Sequence, residues 1–321
     1  MSRLTSVATG PYAPPAPSRA LTVASTGGAR LHVEVHGPEK APAVVLSHGW
    51  TCSTAFWAAQ TRDLAADHRV IVYDQRGHGR SPASPVCSTR ALADDLEAVL
   101  AKTLSPKEKA LVVGHSMGGM TIMAASTRPR FHAHAAAVLL CSTGSSRLVE
   151  EASVVPLRAG RVRTWITGQV LGSSVPLGPV TPVAKSILKY ATMGAGSAPH
   201  VVEACARIVH ACPRTVRHAW GGVLATLDLD HGVRELQVPA AVVHGASDRL
   251  TPPVHARALA AGLPNCVGLT ELPGIGHMTP MEAPDLVVRR IRELVTTYVT
   301  GAAPEQEQEH GSTPVRSREG A

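Results

Sequence analysis

The sequence predicts an α/β fold: a mostly parallel central sheet with helices on both faces, interrupted by a helical insertion. Three observations predict it. Short apolar runs without alternation, such as Val44-Val45-Leu46, Ala110-Leu111-Val112-Val113 and Ala240-Ala241-Val242-Val243, read as strands buried on both faces. Stretches with helical spacing alternate with them. Chemically versatile residues (His48, Asp74, Ser116, Asp248 and His277) fall just past predicted strands, where parallel sheets carry their working groups. A chain of 321 residues is long enough for one large domain with an insertion. Aromatics make up only 3%, so the core must be built mainly from Ala, Val and Leu.

Residues 1–20 are rich in Pro, Ala and Ser and are expected to be a flexible N-terminal segment. Leu21-Thr22-Val23 and the alternating Leu31-His32-Val33-Glu34-Val35, separated by Gly27-Gly28, predict a β-hairpin. Val44-Val45-Leu46 is a strand ending at Ser47-His48-Gly49, and helical spacing follows over 53–66. The run 69–73 is a strand that stops at Asp74. The helix expected over 89–101 places Leu92, Leu96, Val99 and Leu100 on one side. After the strand 110–113, a helix is expected over 119–125 and a strand over 135–140.

Past Gly144 the alternation lapses. Residues 145–235, broken by Pro176, Pro179, Pro182 and Pro213, predict a helical cap. The alternation resumes with the strand 240–243, a helix over 254–261, the strand 267–272 and a helix over 284–299. The core therefore comprises 21–144 and 236–300, and 301–321, with Glu305, Glu307 and Glu309 among Gly and Pro, is expected to be a disordered tail.

Composition excludes several function classes. The net charge is +7, but Arg158, Arg161, Arg163, Arg207, Arg214 and Arg217 are scattered rather than set in a stripe with aromatics, which argues against nucleic-acid binding. Six cysteines without zinc-type spacing read as free thiols in a reducing compartment. His200, His210 and His218 have helical spacing but no carboxylate set nearby, so no metal site is expected. The N-terminus lacks an apolar signal core, and no apolar run approaches the ~18 residues of a membrane span. A cytoplasmic protein is the resulting expectation.

The chemistry concentrates at Gly114-His115-Ser116-Met117-Gly118, a Gly-x-Ser-x-Gly turn directly after a predicted strand and before a predicted helix. A serine hydroxyl is a poor nucleophile at neutral pH and needs a histidine to take its proton. That histidine needs a carboxylate to fix its tautomer. Asp248, in a loop of turn formers after the strand 240–243, and His277, in Gly274-Ile275-Gly276-His277 after the last strand, supply both in the required order.

These motifs, with His48-Gly49-Trp50 and Asp74-Gln75-Arg76-Gly77-His78-Gly79-Arg80-Ser81, make the chain resemble α/β-hydrolase-fold enzymes over roughly residues 21–300 apart from the insertion. The resemblance implies Ser116 as nucleophile, His277 as general base then acid, and Asp248 as the orienting carboxylate. It implies an oxyanion site made by the backbone N–H groups of Trp50 and Met117, and no metal or organic cofactor. Ser at position 116 argues against the epoxide hydrolases and haloalkane dehalogenases of that family, which use an aspartate. The expected function is a serine hydrolase cleaving a small or medium apolar carboxylic ester through an acyl-enzyme. The alternatives are a cofactor-free perhydrolase or haloperoxidase-like enzyme and a ligand-binding protein that keeps the triad. The expected partner is a small-molecule ester, with Trp50, Trp165, Met193 and Trp220 as candidate pocket residues.

Structural roles are expected for the remaining conspicuous residues. His48 braces its loop, His78 sits in a Gly-rich turn, and His115 packs or hydrogen-bonds beside the serine. Asp74 is expected to be structural with Arg76 as its partner, and Asp228 and Asp230 to cap or end turns.

Overall fold

The structure, a computed structural model, describes residues 12–301. Eight strands form one sheet: β1 (Arg19–Ala24), β2 (Arg30–His36), β3 (Ala43–Ser47), β4 (Arg69–Tyr73), β5 (Ala110–His115), β6 (Ala135–Cys141), β7 (Ala240–Gly245) and β8 (Cys266–Leu272). Their spatial order is β1-β2-β4-β3-β5-β6-β7-β8. The β1–β2 and β2–β4 pairs are antiparallel and the other five are parallel. The hairpin, the parallel core and both covered faces therefore match the expectation.

The unbranched apolar runs work because both sides of each central strand are buried. Val45, Val112, Val138, Leu140 and Val242 join one apolar cluster, while their chain neighbours Leu46, Val113, Leu139, Cys141 and Val243 join the cluster on the opposite face. Successive side chains point to opposite faces, so one Val-rich run feeds two cores. From β3 the chain first builds outward to β4, then crosses to β5 on the other side. The crevice at this reversal, above the C-terminal ends of β3 and β5, is where such sheets bind ligands. It brings the His48-Gly49-Trp50 loop beside Ser116.

Two glycines let the helix Met117–Ala125 approach that crevice. A Cβ on Gly118 would collide with the Ser47 carbonyl oxygen, and one on Gly114 with the Gly118 backbone. The helix begins at Met117, two residues before its expected start, because Ser116 itself forms the turn.

Other local differences have physical causes. The helix expected over 53–66 is a 3₁₀ turn (Thr54–Trp57) followed by the helix Ala58–Leu64, and the turn is pinned where Thr54 N–H donates to Asp74 Oδ1 at 2.7 Å. The helix Pro129–His134 was not expected, since six residues carry too little periodicity to register. The final helix runs over Pro284–Leu294 and widens into a π-helical turn, Val295–Val299. The expected flexible segment 1–20 is too long: Tyr12 is buried, its hydroxyl donates to the Met281 carbonyl at 3.0 Å, and β1 begins at Arg19. Residues 1–11, and the expected tail apart from Gly301, lie outside the described residues.

The Asp74–Arg76 pairing expected from the sequence does not form. Arg76 is buried and pairs instead with buried Asp95, Nε to Oδ2 at 2.7 Å and Nη2 to Oδ1 at 2.6 Å. Asp74 accepts the backbone N–H groups of Thr54 and Arg80. Arg76→Ala would strand a buried carboxylate, and a loss of about 3–5 kcal/mol is expected. Urea unfolding of the wild type and the variant checks it.

Between β6 and β7 the chain is helical, with Leu148–Glu151, Arg161–Leu171, Pro182–Thr192, Pro199–Ala211, Arg214–Ala225 and Asp230–Arg234. No helix among the described residues is long and apolar enough to cross a membrane. All six cysteines are free thiols, and four of them are buried.

Candidate active site

Ser116 sits between β5 and the helix Met117–Ala125 with φ 51° and ψ −115°. A non-glycine residue at positive φ is strained, and such strain persists only where the surroundings enforce it. Here the Ser116 N–H donates to the Cys141 carbonyl at 3.0 Å, and its carbonyl accepts the N–H groups of Gly119 and Met120 and the Thr143 hydroxyl. The turn is therefore fixed from β6 and from its own helix.

His277 and Asp248 meet beyond β8 and β7. His277 Nδ1 donates to Asp248 Oδ2 at 2.8 Å, which leaves Nε2 as the basic nitrogen. The second carboxylate oxygen, Oδ1, accepts the N–H groups of Leu250 (2.8 Å) and Thr251 (2.9 Å). The Thr251 hydroxyl donates to Oδ2 at 2.9 Å. Burial would raise the Asp248 pKa, but His277, His244 and these donors outweigh it and hold the carboxyl below its ordinary value. Asp248 is a fully satisfied, ionised acceptor.

His115 ties this pair to the serine. Its Nε2–H donates to the His277 carbonyl at 2.9 Å, its ring lies 5.0 Å from the His277 ring, and Phe56 stacks on it at 4.4 Å. The residue before Ser116 thus grips the backbone of the loop that carries His277. The same loop is held from the helical segment, because the His277 N–H donates to the Thr192 carbonyl at 2.8 Å. Ser116, Asp248 and His277 are all buried. The expected structural role for His115 is what the geometry gives.

The His48-Gly49-Trp50 loop is built by neutral imidazoles. His48 Nδ1–H donates to the Gly49 carbonyl at 2.7 Å and Nε2 accepts from Gln75 N–H at 3.1 Å. His78 accepts the Thr51 N–H at 3.2 Å and donates to the Arg76 carbonyl. The Gln75 amide donates to the His48 carbonyl and accepts from Thr121 in the helix after Ser116. One network therefore sets the loop against the serine helix. Burial pushes His48 down to about 3 and His78 down to about 4.

The unfolded imidazoles titrate near 6.5, so between those values the unfolded chain binds more protons than the fold. Stability from these groups is full above about 6.5 and falls with pH below it. A lower urea midpoint at pH 5 than at pH 7, with an unchanged m value, is expected in equilibrium unfolding.

The pocket residues expected from the sequence divide. Trp50 is half-buried beside the serine turn, and its indole donates to the Arg217 carbonyl at 3.1 Å. Met193 is buried directly against Gly276, next to His277. Trp220 is wholly buried, and its indole donates to the Arg76 carbonyl at 3.1 Å, so it anchors the helical segment to the core rather than lining a pocket. Trp165 is 65% exposed, in a shallow depression with Arg147, Glu150 and Arg163 that includes none of Ser116, Asp248 and His277. Asp230 accepts the Ser145 hydroxyl, and Asp228 accepts the Asp230 N–H, both turn-stabilising roles.

Sequence reasoning missed Thr251, Thr192 and His244. Thr251 was readable as the polar residue three after an Asp in a turn. Thr192 acts through its carbonyl, which leaves no trace in side-chain identity.

The model of the alpha/beta hydrolase family matches residues 44–290. The chain belongs to that family. RutD of Variovorax paradoxus, provisionally named a carbamate hydrolase, is 33% identical over 256 residues, which is 77% of this chain and 89% of that protein. A pimeloyl-[acyl-carrier protein] methyl ester esterase of Chromobacterium violaceum is 30% identical over 83% of this chain and 98% of its own. A thermophilic esterase from Thermogutta terrifontis superposes with a TM-score of 0.70 at 25% identity, covering 87% of this α/β-hydrolase and 99% of the esterase.

Proposed function

We infer that this α/β-hydrolase cleaves small or medium apolar carboxylic esters through an acyl-enzyme on Ser116. The observation that carries the reading is the 2.8 Å Asp248–His277 bond held, through His115, against a strained serine turn. Ser116 Oγ attacks the ester carbonyl while His277 Nε2 takes its proton. The tetrahedral oxyanion is met by the N–H groups of Trp50 and Met117. Met117 opens its helix, so its amide has no intrahelical partner and carries the positive end of the dipole. Losing one such donor typically costs about 3 kcal/mol of transition-state stabilisation.

His277 then hands the proton to the departing alcohol oxygen, and the ester C–O bond breaks. Water, deprotonated by the same nitrogen, attacks the acyl carbonyl, the acyl–Oγ bond breaks, His277 returns the proton to Ser116 Oγ and the acid is released. Asp248 stays ionised throughout and stabilises the imidazolium. The helical segment between β6 and β7 acts as a cap, joined to the site at Thr192, Arg217 and Trp220. Met193 packs against Gly276 beside His277 and Trp50 follows Gly49 beside Ser116, and these apolar neighbours favour an apolar acyl group.

The test is kcat/KM for p-nitrophenyl esters of increasing acyl length, with the matching aryl carbamate and a charged dicarboxylic half-ester alongside. A preference for short or medium aliphatic esters supports the reading. A carbamate turned over faster than every ester replaces the acyl group in it, and tight ester binding without turnover replaces the enzyme with a receptor.

A further inference from the structure

The outer side of the helical segment is apolar where a soluble surface is ordinarily polar. Val162, Trp165, Val170, Val175, Val183 and Ile187 are each between 58% and 68% exposed. They fall on one stretch of chain, 162–187, five of them on the helices Arg161–Leu171 and Pro182–Thr192 and Val175 in the loop between. Val183, Ile187 and Tyr190 are spaced i, i+4, i+7 along the helix Pro182–Thr192, and Val162 and Trp165 are i, i+3 along Arg161–Leu171.

The inward sides are already used. Arg161–Leu171 packs on Arg214–Ala225, and Pro182–Thr192 packs on Pro199–Ala211. The loop between them is tied down by the Arg217 guanidinium on the Val175 carbonyl, the His218 ring on the Gly172 carbonyl and the His210 ring on the Gly178 carbonyl. More than half of the surface of each of these apolar residues is therefore left in solvent after the helices have packed. An apolar surface held outward by a fixed scaffold marks a contact surface.

Charge identifies the occupant. Residues 152–202 contain no Asp or Glu, although the chain has 24, and they carry Arg158, Arg161, Arg163, Lys185 and Lys189. Arg158 and Arg161 are exposed beside Val162. Arg163 donates to the Glu150 carbonyl, Lys185 pairs with Glu203 and Lys189 donates to the Ser197 carbonyl. Two acidic side chains of the preceding helix, Glu150 and Glu151, line the same depression as Trp165 and Arg161, and Glu150 is exposed. Glu151 is paired with Arg147, and Glu203 with Lys185 and Arg207.

We propose that this face docks the protein onto an anionic lipid surface, with Trp165 and the aliphatic residues entering the acyl boundary and Arg158 and Arg161 meeting the headgroups. Tryptophan, aliphatic residues and an excess of cations on one segment are the combination that interfacial binding uses. Docking brings the surface near the site, since the helix Pro182–Thr192 ends at the carbonyl that holds His277. The binding itself is independent of any reaction at Ser116.

The full-length chain is mixed with phosphatidylglycerol vesicles or phosphatidylcholine vesicles and separated by flotation. Binding to phosphatidylglycerol is expected to exceed that to phosphatidylcholine by about tenfold at low salt, and to fall as salt rises. Tryptophan emission is expected to shift to the blue on binding, since Trp165 is exposed whereas Trp57 and Trp220 are buried. The surface variants Val183→Ser/Ile187→Ser and Arg158→Glu/Arg161→Glu are each expected to cut binding about tenfold. Both should keep the wild-type urea midpoint and the wild-type rate on a soluble aryl ester. Wild-type protein that stays out of the floating fraction, equal binding to both lipids, or variants that bind like the wild type would overturn the proposal. So would a dimer in sedimentation velocity that Val183→Ser/Ile187→Ser dissociates while vesicles capture nothing, which assigns the face to a second copy.

Discussion

Replacing Ser116 with alanine is expected to lower kcat on an aryl ester by roughly 10⁶-fold. The change removes the Oγ proposed to form the acyl bond and leaves every other group in position. Alanine accepts the same φ of 51° at a cost similar to serine, and the Ser116 contacts that fix the turn are made by its backbone N–H and carbonyl. The urea midpoint should therefore match the wild type. The pairing of lost turnover with retained stability distinguishes chemistry from folding. A variant that keeps a tenth of the activity would remove Ser116 from the reaction.

Asp248→Asn is expected to lower kcat by about 10⁴-fold, through a tautomer rather than through lost packing. All the groups that bond the carboxylate are donors: two backbone N–H groups on Oδ1, and the Thr251 hydroxyl and His277 Nδ1 on Oδ2. An asparagine that satisfies the Leu250 and Thr251 amides with its oxygen must turn its NH₂ toward His277. The imidazole can answer only by giving up its Nδ1 proton and carrying it on Nε2, the nitrogen proposed to accept the serine proton. His244, 3.4 Å from the same carboxylate oxygen, offers no relief, because its Nε2–H is committed to the Thr251 carbonyl at 2.6 Å. Steady-state kinetics across pH checks this. Activity near wild type would mean that Asp248 does not set the His277 tautomer.

Much of this site could be read in the chain because its parts sit where strands end. Ser116 and Asp248 each follow an apolar run that forms a buried strand, His277 follows the edge strand β8, and a parallel sheet gathers such positions at one end. Gly114 and Gly118 were legible for a related reason, since only glycine allows the helix Met117–Ala125 to approach Ser47 and its own strand.

What failed depended on contacts distant in sequence. Arg76 was assigned to Asp74, two residues away, but its partner is Asp95 on another element, which local spacing cannot reveal. Trp165 and Trp220 are expected at the pocket from their place in the helical insertion. Trp220 instead seals the core through the Arg76 carbonyl, and Trp165 faces outward. In an amphipathic helix the sequence locates an apolar stripe but not what it meets. That indeterminacy is greatest in the segment between β6 and β7, where helices pack on helices rather than on the sheet.

The central claim is that Ser116 forms a covalent acyl intermediate, and trapping that bond is the most direct test. The protein is incubated with a fluorophosphonate, which esterifies an activated serine, and intact mass is followed by peptide mapping. One adduct per chain is expected, on the peptide carrying Gly114-His115-Ser116-Met117-Gly118, absent in Ser116→Ala and formed far more slowly in Asp248→Asn. An adduct on any other residue, or equal labelling of the wild type and Ser116→Ala, would contradict it.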